Sequence, residues 1–87
     1  MPDEKKEGKL IGRVTHFFGN IGVAVIEVSD RLREGETIRI VGGGVDFEQK
    51  VDSMEVDHKR VSEAKKGDSV GVKVGQRVHE GYKVFKV

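Results

Sequence analysis

The 87-residue chain contains no cysteine and no tryptophan, and it has a single proline. Without cysteine it has no disulfide bond to stabilise it and no thiolate to act as a nucleophile or metal ligand. Its longest apolar run, residues 23–26, is far shorter than the roughly 20 residues that a membrane-spanning helix needs. Residues 1–8 lack the apolar core of a signal peptide and the Arg and Ser bias of a transit peptide. We therefore expect a cytoplasmic protein that does not enter a membrane.

Charged residues are abundant but almost balanced, with 16 Lys and Arg against 15 Asp and Glu and a net charge of +1. This balance argues against a strongly basic nucleic-acid clamp, whose affinity comes largely from displaced counterions, but it leaves room for a local basic face. Lys and Glu are frequent, whereas Asn and Gln are scarce. Proteins of hyperthermophiles share this bias, so the composition predicts a thermophilic source.

After a charged tail at residues 1–8, residues 9–87 have the pattern of one all-β domain. β-Branched residues alternate with polar ones, and turn residues interrupt them at intervals of roughly 6–12 residues. No long stretch has a helical period. Because exposed sheet edges are a hazard in so small a chain, we predict a small closed antiparallel β-barrel. The predicted strands are residues 9–17, 21–28, 36–41, 45–57, 69–74 and 82–87.

The longest predicted strand, residues 45–57, changes phase part-way along. Phe47 and Val51 share one face, whereas Met54 lies in the opposite phase. The strand must therefore contain one residue more than its partner. A β-bulge near Asp52 or Ser53 would accommodate this residue and bend the strand around a barrel.

The alternation of residues also predicts which side chains of the other strands point into the core. Leu10, Gly12 and Val14 are expected on one face of the first strand, and Gly71 indicates the close approach of another backbone. Ile38, Ile40 and Leu32 should point into the core, together with Val70, Val72, Val74 and Val84. One irregular helical turn is expected at residues 62–65.

The sequence offers no convincing catalytic or cofactor-binding motif. Residues 42–44 are three glycines, but neither a Walker loop nor a dinucleotide fingerprint surrounds them, so we predict a hairpin turn. His16, His58 and His79 lack the close spacing of metal ligands. The carboxylates between residues 52 and 57 are interpreted as a solvated face, and no serine lies in a nucleophile elbow. We therefore predict no enzyme activity, no catalytic residues, no metal and no cofactor.

Basic and aromatic residues concentrate in the turns and loops. Two phenylalanines at a hairpin tip would either cap one end of the barrel or offer stacking platforms for bases. Acidic residues interleave the basic ones, which favours a solvated charged surface for most of them. The candidate RNA or partner contacts are Phe17, Phe18, His58, Lys59, Arg60, Lys65, Lys66, Arg77 and His79.

An ordered set of segments carries a family resemblance. These segments are residues 12–14, residues 32–40, Phe47 with residues 51–54, and residues 61–72, and the most specific is the Ala-x-x-Gly-Asp-x-Val-Gly stretch at 64–71. Together they resemble the second domain of the translation GTPases, the β-barrel of elongation factor Tu and its relatives. The resemblance spans nearly all of the predicted domain and implies a stand-alone, elongation-factor-like barrel without a GTPase domain. It implies a binding module for tRNA, rRNA or a translation-associated partner.

The chain is also similar to the barrel at the C-terminus of collagenase-like peptidases. This second resemblance implies an accessory, protein-binding subunit or a barrel that completes a separately encoded enzyme. RNA binding should weaken steeply with salt, whereas a protein partner held by an apolar patch should show little salt dependence.

Overall fold

The computed structural model describes residues 8–87, and these residues contain ten strands and no helix. The prediction of an all-β fold is confirmed, whereas the predicted tail falls, except for Gly8, outside the described residues. All strand pairings are antiparallel. The strands are β1 (Lys9–Phe18), β2 (Val23–Val28), β3 (Leu32–Arg33), β4 (Thr37–Gly42), β5 (Val45–Lys50), β6 (Met54–Val56), β7 (Lys59–Val61), β8 (Glu63–Ala64), β9 (Ser69–Lys73) and β10 (Lys83–Lys86).

Eight strands form one sheet in the order β5-β4-β10-β1-β2-β9-β6-β7, and β3 with β8 forms a small ribbon. In a flat sheet, β5 and β6 would lie about 29 Å apart, since neighbouring strands are separated by about 4.8 Å. The chain from Lys50 to Met54 connects them directly, and four residues span at most about 14 Å. The sheet must therefore roll up until its two ends approach each other.

The side chain of Gln49 joins β5, at one end of the sheet, to β9, the third strand from the other end. Its Nε2 donates to the backbone oxygen of Lys73 at 2.7 Å, and its Oε1 accepts from the backbone nitrogen of Gly75 at 3.0 Å. The end of β5 is thereby joined to the end of β9. No backbone ladder between these two strands is found within residues 8–87, so closure into a hydrogen-bonded barrel stays a prediction.

The interior of the rolled sheet is entirely apolar. Among the described residues no polar or charged residue is buried, and no buried side-chain nitrogen or oxygen lacks a partner. The inward positions predicted from alternation are confirmed. Ile38, Ile40, Leu32, Val70, Val72, Val74 and Val84 are all buried, with Ile11, Val14, Ala24, Ile26, Val28, Val51, Met54, Ala64 and Val78.

The predicted single strand at residues 45–57 with a bulge was wrong, because residues 51–53 leave the strand conformation altogether. The backbone of Val51 bonds the loop before β4: its nitrogen donates to the oxygen of Glu36 at 2.9 Å, and its oxygen accepts from the nitrogen of Gly35 at 2.8 Å. β5 pairs with β4, whereas β6 pairs with β7 and β9. The phase change marks the point where the chain passes from one end of the sheet to the other.

The bulges lie in β1 instead, where the register shifts between Leu10 and Gly12 and again between Val14 and His16. The expected common face of Leu10, Gly12 and Val14 was therefore wrong. Leu10 points outward and is 49% exposed, while Ile11 and Val14 are buried.

Two further local expectations also fail. The expected helical turn at residues 62–65 contains β8 instead, because Ala64 is buried opposite Leu32 on β3. At Gly71 an added Cβ would lie 3.5 Å from the nearest atom, an ordinary contact, so no close backbone approach requires that glycine. The predicted hairpin turn at residues 42–44 is confirmed, since it joins β4 to β5.

The substitution Gly12→Ala should lower the free energy of unfolding by about 1–3 kcal/mol, because a Cβ there would lie 2.5 Å from the backbone oxygen of Glu27. Urea denaturation measures the change. Gly75→Ala is the matched control, since an added Cβ meets nothing within 4 Å at that position. Equal stability of the two variants would contradict the close packing of β1 on β2.

The substitution Gln49→Ala should lower the free energy of unfolding by about 1 kcal/mol, because it removes two hydrogen bonds that join β5 to β9. It should also speed hydrogen exchange at the Gly75 amide, measured by NMR. Gln76→Ala, at an exposed glutamine in the neighbouring loop, serves as the control. Unchanged exchange at Gly75 would show that the bridge does not hold the sheet ends together.

Candidate functional site

The nine candidate contact residues do not form one surface. Phe17, Arg77 and His79 meet in one groove, and Phe18 lies beside it. His58, Lys59 and Arg60 lie on the β6–β7 hairpin, while Lys65 and Lys66 lie in the turn before β9. The sequence therefore identified several surface features that the fold places at separate sites.

The first feature, which we call the aromatic groove, has a volume of about 560 Å³. The end of β1 forms one wall, and the loop between β9 and β10 forms the other. Buried Val78 anchors that loop, and the backbone nitrogen of Gly81 donates to the oxygen of Val14 at 2.7 Å. The lining residues are His16, Phe17, Gly19, Arg77, Val78, His79 and Glu80.

Phe17 and Phe18 have different environments at the end of β1. Phe17 is partly buried against the core, whereas Phe18 is 45% exposed with its ring centroid 5.4 Å from that of His16. Ile21 follows in the turn and is 60% exposed. Sequence reasoning missed Ile21, because an apolar residue at a strand start is normally assigned to the core.

The β6–β7 hairpin displays a basic tip. Its turn residues Asp57 and His58 both have positive φ, 55° and 65°, as in the tight turns that join antiparallel strands. Arg60 Nε lies 3.0 Å from Glu34 Oε2, so an acid of the β3–β4 loop balances this guanidinium. Lys59 is exposed and forms no ion pair with any described residue.

Lys65 and Lys66 begin the turn that leads into β9. Within it the backbone nitrogen of Lys65 donates to Asp68 Oδ2 at 2.9 Å, and the nitrogen of Gly67 donates to the oxygen of Val28 at 2.8 Å. These bonds fix the backbone of the turn beside the end of β2. Lys66 extends from it toward the outer surface of β1.

A second groove lies on that outer surface, and we call it the β1 groove. Its volume is about 520 Å³, and it runs along β1 between the end of β2 and β10. Sequence reasoning missed it, apart from Lys66, because strand alternation alone does not reveal the bulge that turns Leu10 outward. The lining residues are Leu10, Gly12, Arg13, Glu27, Val28, Ser29, Lys66, Gly67, Gly81 and Lys83.

Two carboxyl groups have shifted acidities, and both shifts favour the ionised form. A hydrogen bond from Lys9 and another from the backbone of Arg31 lower the pKa of Asp30. Hydrogen bonds from the Arg39 guanidinium lower the pKa of Asp46. Both groups are therefore carboxylates near neutral pH, which does not suit them to act as general acids.

Within residues 8–87, no group of three His, Asp or Glu side chains is placed to share a metal ion. The same part of the chain contains no helix that is long and apolar enough to cross a membrane. The expected absence of metal, cofactor and enzyme activity stays a prediction.

No protein-family model matches the chain. It is 45% identical over 76 residues to an uncharacterized protease of Methanocaldococcus jannaschii. The match covers 86% of this chain but 19% of the protease, so the chain spans about a fifth of that relative's length.

Solved structures identify the fold. The C-terminal domain of a Geobacillus thermoleovorans protein described as a U32 peptidase superimposes with a TM-score of 0.85 and 17% identity, covering 91% of this chain and 92% of that domain. The chain has the fold of this domain. A bacterial selenocysteine-specific elongation factor superimposes with a TM-score of 0.70 and 18% identity, over 93% of this chain and 15% of the factor. The two predicted resemblances are thereby confirmed at the level of the fold.

Proposed function

We propose that this chain is a non-catalytic docking module that binds the catalytic part of a U32-type peptidase. The observation that carries the proposal is the 45% identity, over 86% of this chain, to a segment that makes up 19% of a protease. The fold adds support, because it matches a domain that is part of a protein described as a U32 peptidase. A segment that is a small part of a larger enzyme is well suited to a binding role.

The interior supports a role in binding rather than catalysis. Its side chains are apolar, so none of the described ionisable groups is held in a buried, water-excluded environment. Such environments are what shift catalytic groups toward neutral pKa values. Function is therefore assigned to the outer surface and the loops.

The charge distribution favours a protein partner over an extended RNA backbone. Six ion pairs connect Lys or Arg to acidic side chains of the described residues, among them Lys9–Asp30 at 2.6 Å and Arg31–Glu63 at 3.0 Å. The remaining candidate cations are spread over the hairpin, the turn before β9 and the aromatic groove. This distribution over separate elements differs from the single basic groove that follows a phosphate backbone.

The aromatic groove favours a second candidate function, the binding of single-stranded RNA. It brings Phe17 and His79 together with Arg77, and aromatic rings beside a guanidinium are a common platform for unpaired bases. The fold shared with an elongation factor is consistent with this use.

The docking proposal is tested by adding this chain to the M. jannaschii protease from which the matching segment has been deleted, once circular dichroism shows that the deletion protein is folded. Isothermal titration calorimetry should detect a complex with a dissociation constant of about 10 μM or tighter. The intact protease is the matched control and should bind more weakly, because its own segment occupies the site. No complex with the folded deletion protein would contradict the proposal.

The RNA candidate is tested with a fluorescein-labelled oligouridylate and fluorescence anisotropy. If RNA binds the aromatic groove, Arg77→Ala combined with His79→Ala should weaken binding at least about tenfold, and affinity should fall steeply between about 50 and 200 mM salt. Lys50→Ala, outside that groove, is the control. Absence of RNA binding at low salt would eliminate this candidate.

A further inference from the structure

The β1 groove has an apolar floor, which includes the exposed side chain of Leu10. The register shift between Leu10 and Gly12 turns the Leu10 side chain outward, where it remains 49% exposed. Gly12, Gly67 and Gly81 line the groove without adding side chains, which keeps it open. A volume of about 520 Å³ lies within the range of ligand-binding clefts, about 300–1,000 Å³.

The rim of the same groove carries an excess of positive charge. Arg13 on β1 and Lys83 on β10 are direct cross-strand partners, and both are exposed on the outer face. Like charges placed opposite each other destabilise an antiparallel pair. Glu27 lies 3.7 Å from Arg13 and is the one acid of the lining, whereas Lys66 and Lys83 form no ion pair with a described residue. The groove thus has three cations and one anion in a chain that is almost neutral overall.

These two properties define the chemistry of the occupant. A negatively charged group would relieve the repulsion between Arg13 and Lys83, and an apolar side chain would cover Leu10. Stacking of an unpaired base is disfavoured, because none of the residues that line the groove is aromatic. A small inorganic anion would leave Leu10 exposed. An acidic protein segment with an apolar side chain meets both requirements.

We propose that the β1 groove is the docking site for an acidic, leucine-containing protein segment. The inference rests on the proposed function, which names the catalytic part of the peptidase as the source of that segment. It adds the surface through which the module binds and the chemistry of the contact. Leu10 supplies the apolar contact, while Lys66 and Lys83 supply the charge. Because the shape and charge of the groove come from this chain alone, a synthetic peptide of the same chemistry tests the site without the peptidase.

The probe is a short fluorescein-labelled peptide that repeats Glu-Glu-Leu, titrated with the full 87-residue chain and followed by fluorescence anisotropy. Combining Lys66→Glu with Lys83→Glu should weaken binding at least about tenfold, because it reverses two charges of the rim. Leu10→Ser should weaken binding about tenfold through loss of apolar contact. All three positions are exposed, so the variants should keep the native fold, and circular dichroism checks this.

Matched controls separate the groove from the rest of the surface. Ile21→Ser removes an apolar side chain that is 60% exposed, more than Leu10, near the other end of β1, and Lys50→Glu with Lys59→Glu reverses two exposed charges outside the groove. Neither control should change the affinity more than about twofold. A peptide repeating Lys-Lys-Leu and one repeating Glu-Glu-Ser should both bind at least about tenfold more weakly than the probe.

The inference is overturned if the probe does not bind, if the control variants weaken it as much as the groove variants, or if oligouridylate displaces it from the groove. Any of these results would contradict the site but not the proposed function, because binding to the deletion form of the protease is measured in a separate titration. Peptide binding at the groove without any complex with the protease would support the site and contradict the proposed partner.

Discussion

One constraint shapes the whole structure: residues 45–56 contain two strands, β5 and β6, that lie near opposite ends of the same sheet. β5 pairs with β4 at one end, and β6 pairs with β9 toward the other, with three residues between them. A chain segment this short cannot bridge a flat sheet, so the sheet rolls around an apolar interior. Gln49 then joins the end strand β5 to the end of β9 with a pair of side-chain hydrogen bonds.

The rolled sheet encloses an apolar interior. Sixteen hydrophobic side chains fill it, and no polar residue is buried among those described. On the outer surface, β1 carries two bulges and has a groove beside each of its ends. The aromatic groove has rings and an arginine, whereas the β1 groove has an apolar floor and a positive rim. The two grooves therefore differ in the chemistry of the side chains that line them.

Much of the fold follows from the sequence, but the features of the candidate site follow from it only in part. Alternation placed Ile38, Ile40 and Val72 in the core correctly, because a period of two is a direct consequence of strand geometry. The same alternation placed Leu10 wrongly, because a bulge shifts the phase without leaving a clear signal in the residues around it. Convergence of Phe17 with Arg77 and His79 depends on how a distant loop folds back onto β1, which local patterns do not encode.

Three observations support the docking proposal. A protease segment is similar in sequence, a U32 peptidase domain is similar in fold, and the β1 groove is suited to an acidic protein segment. The central claim is that the chain acts by docking a protein through the outer surface of β1. Hydrogen–deuterium exchange of the chain, with and without the folded deletion form of the M. jannaschii protease, tests it most directly. The account predicts slower exchange at residues 10–13, 27–29 and 66–67, whereas slowing confined to residues 16–19 and 77–80, or no slowing at all, would contradict it.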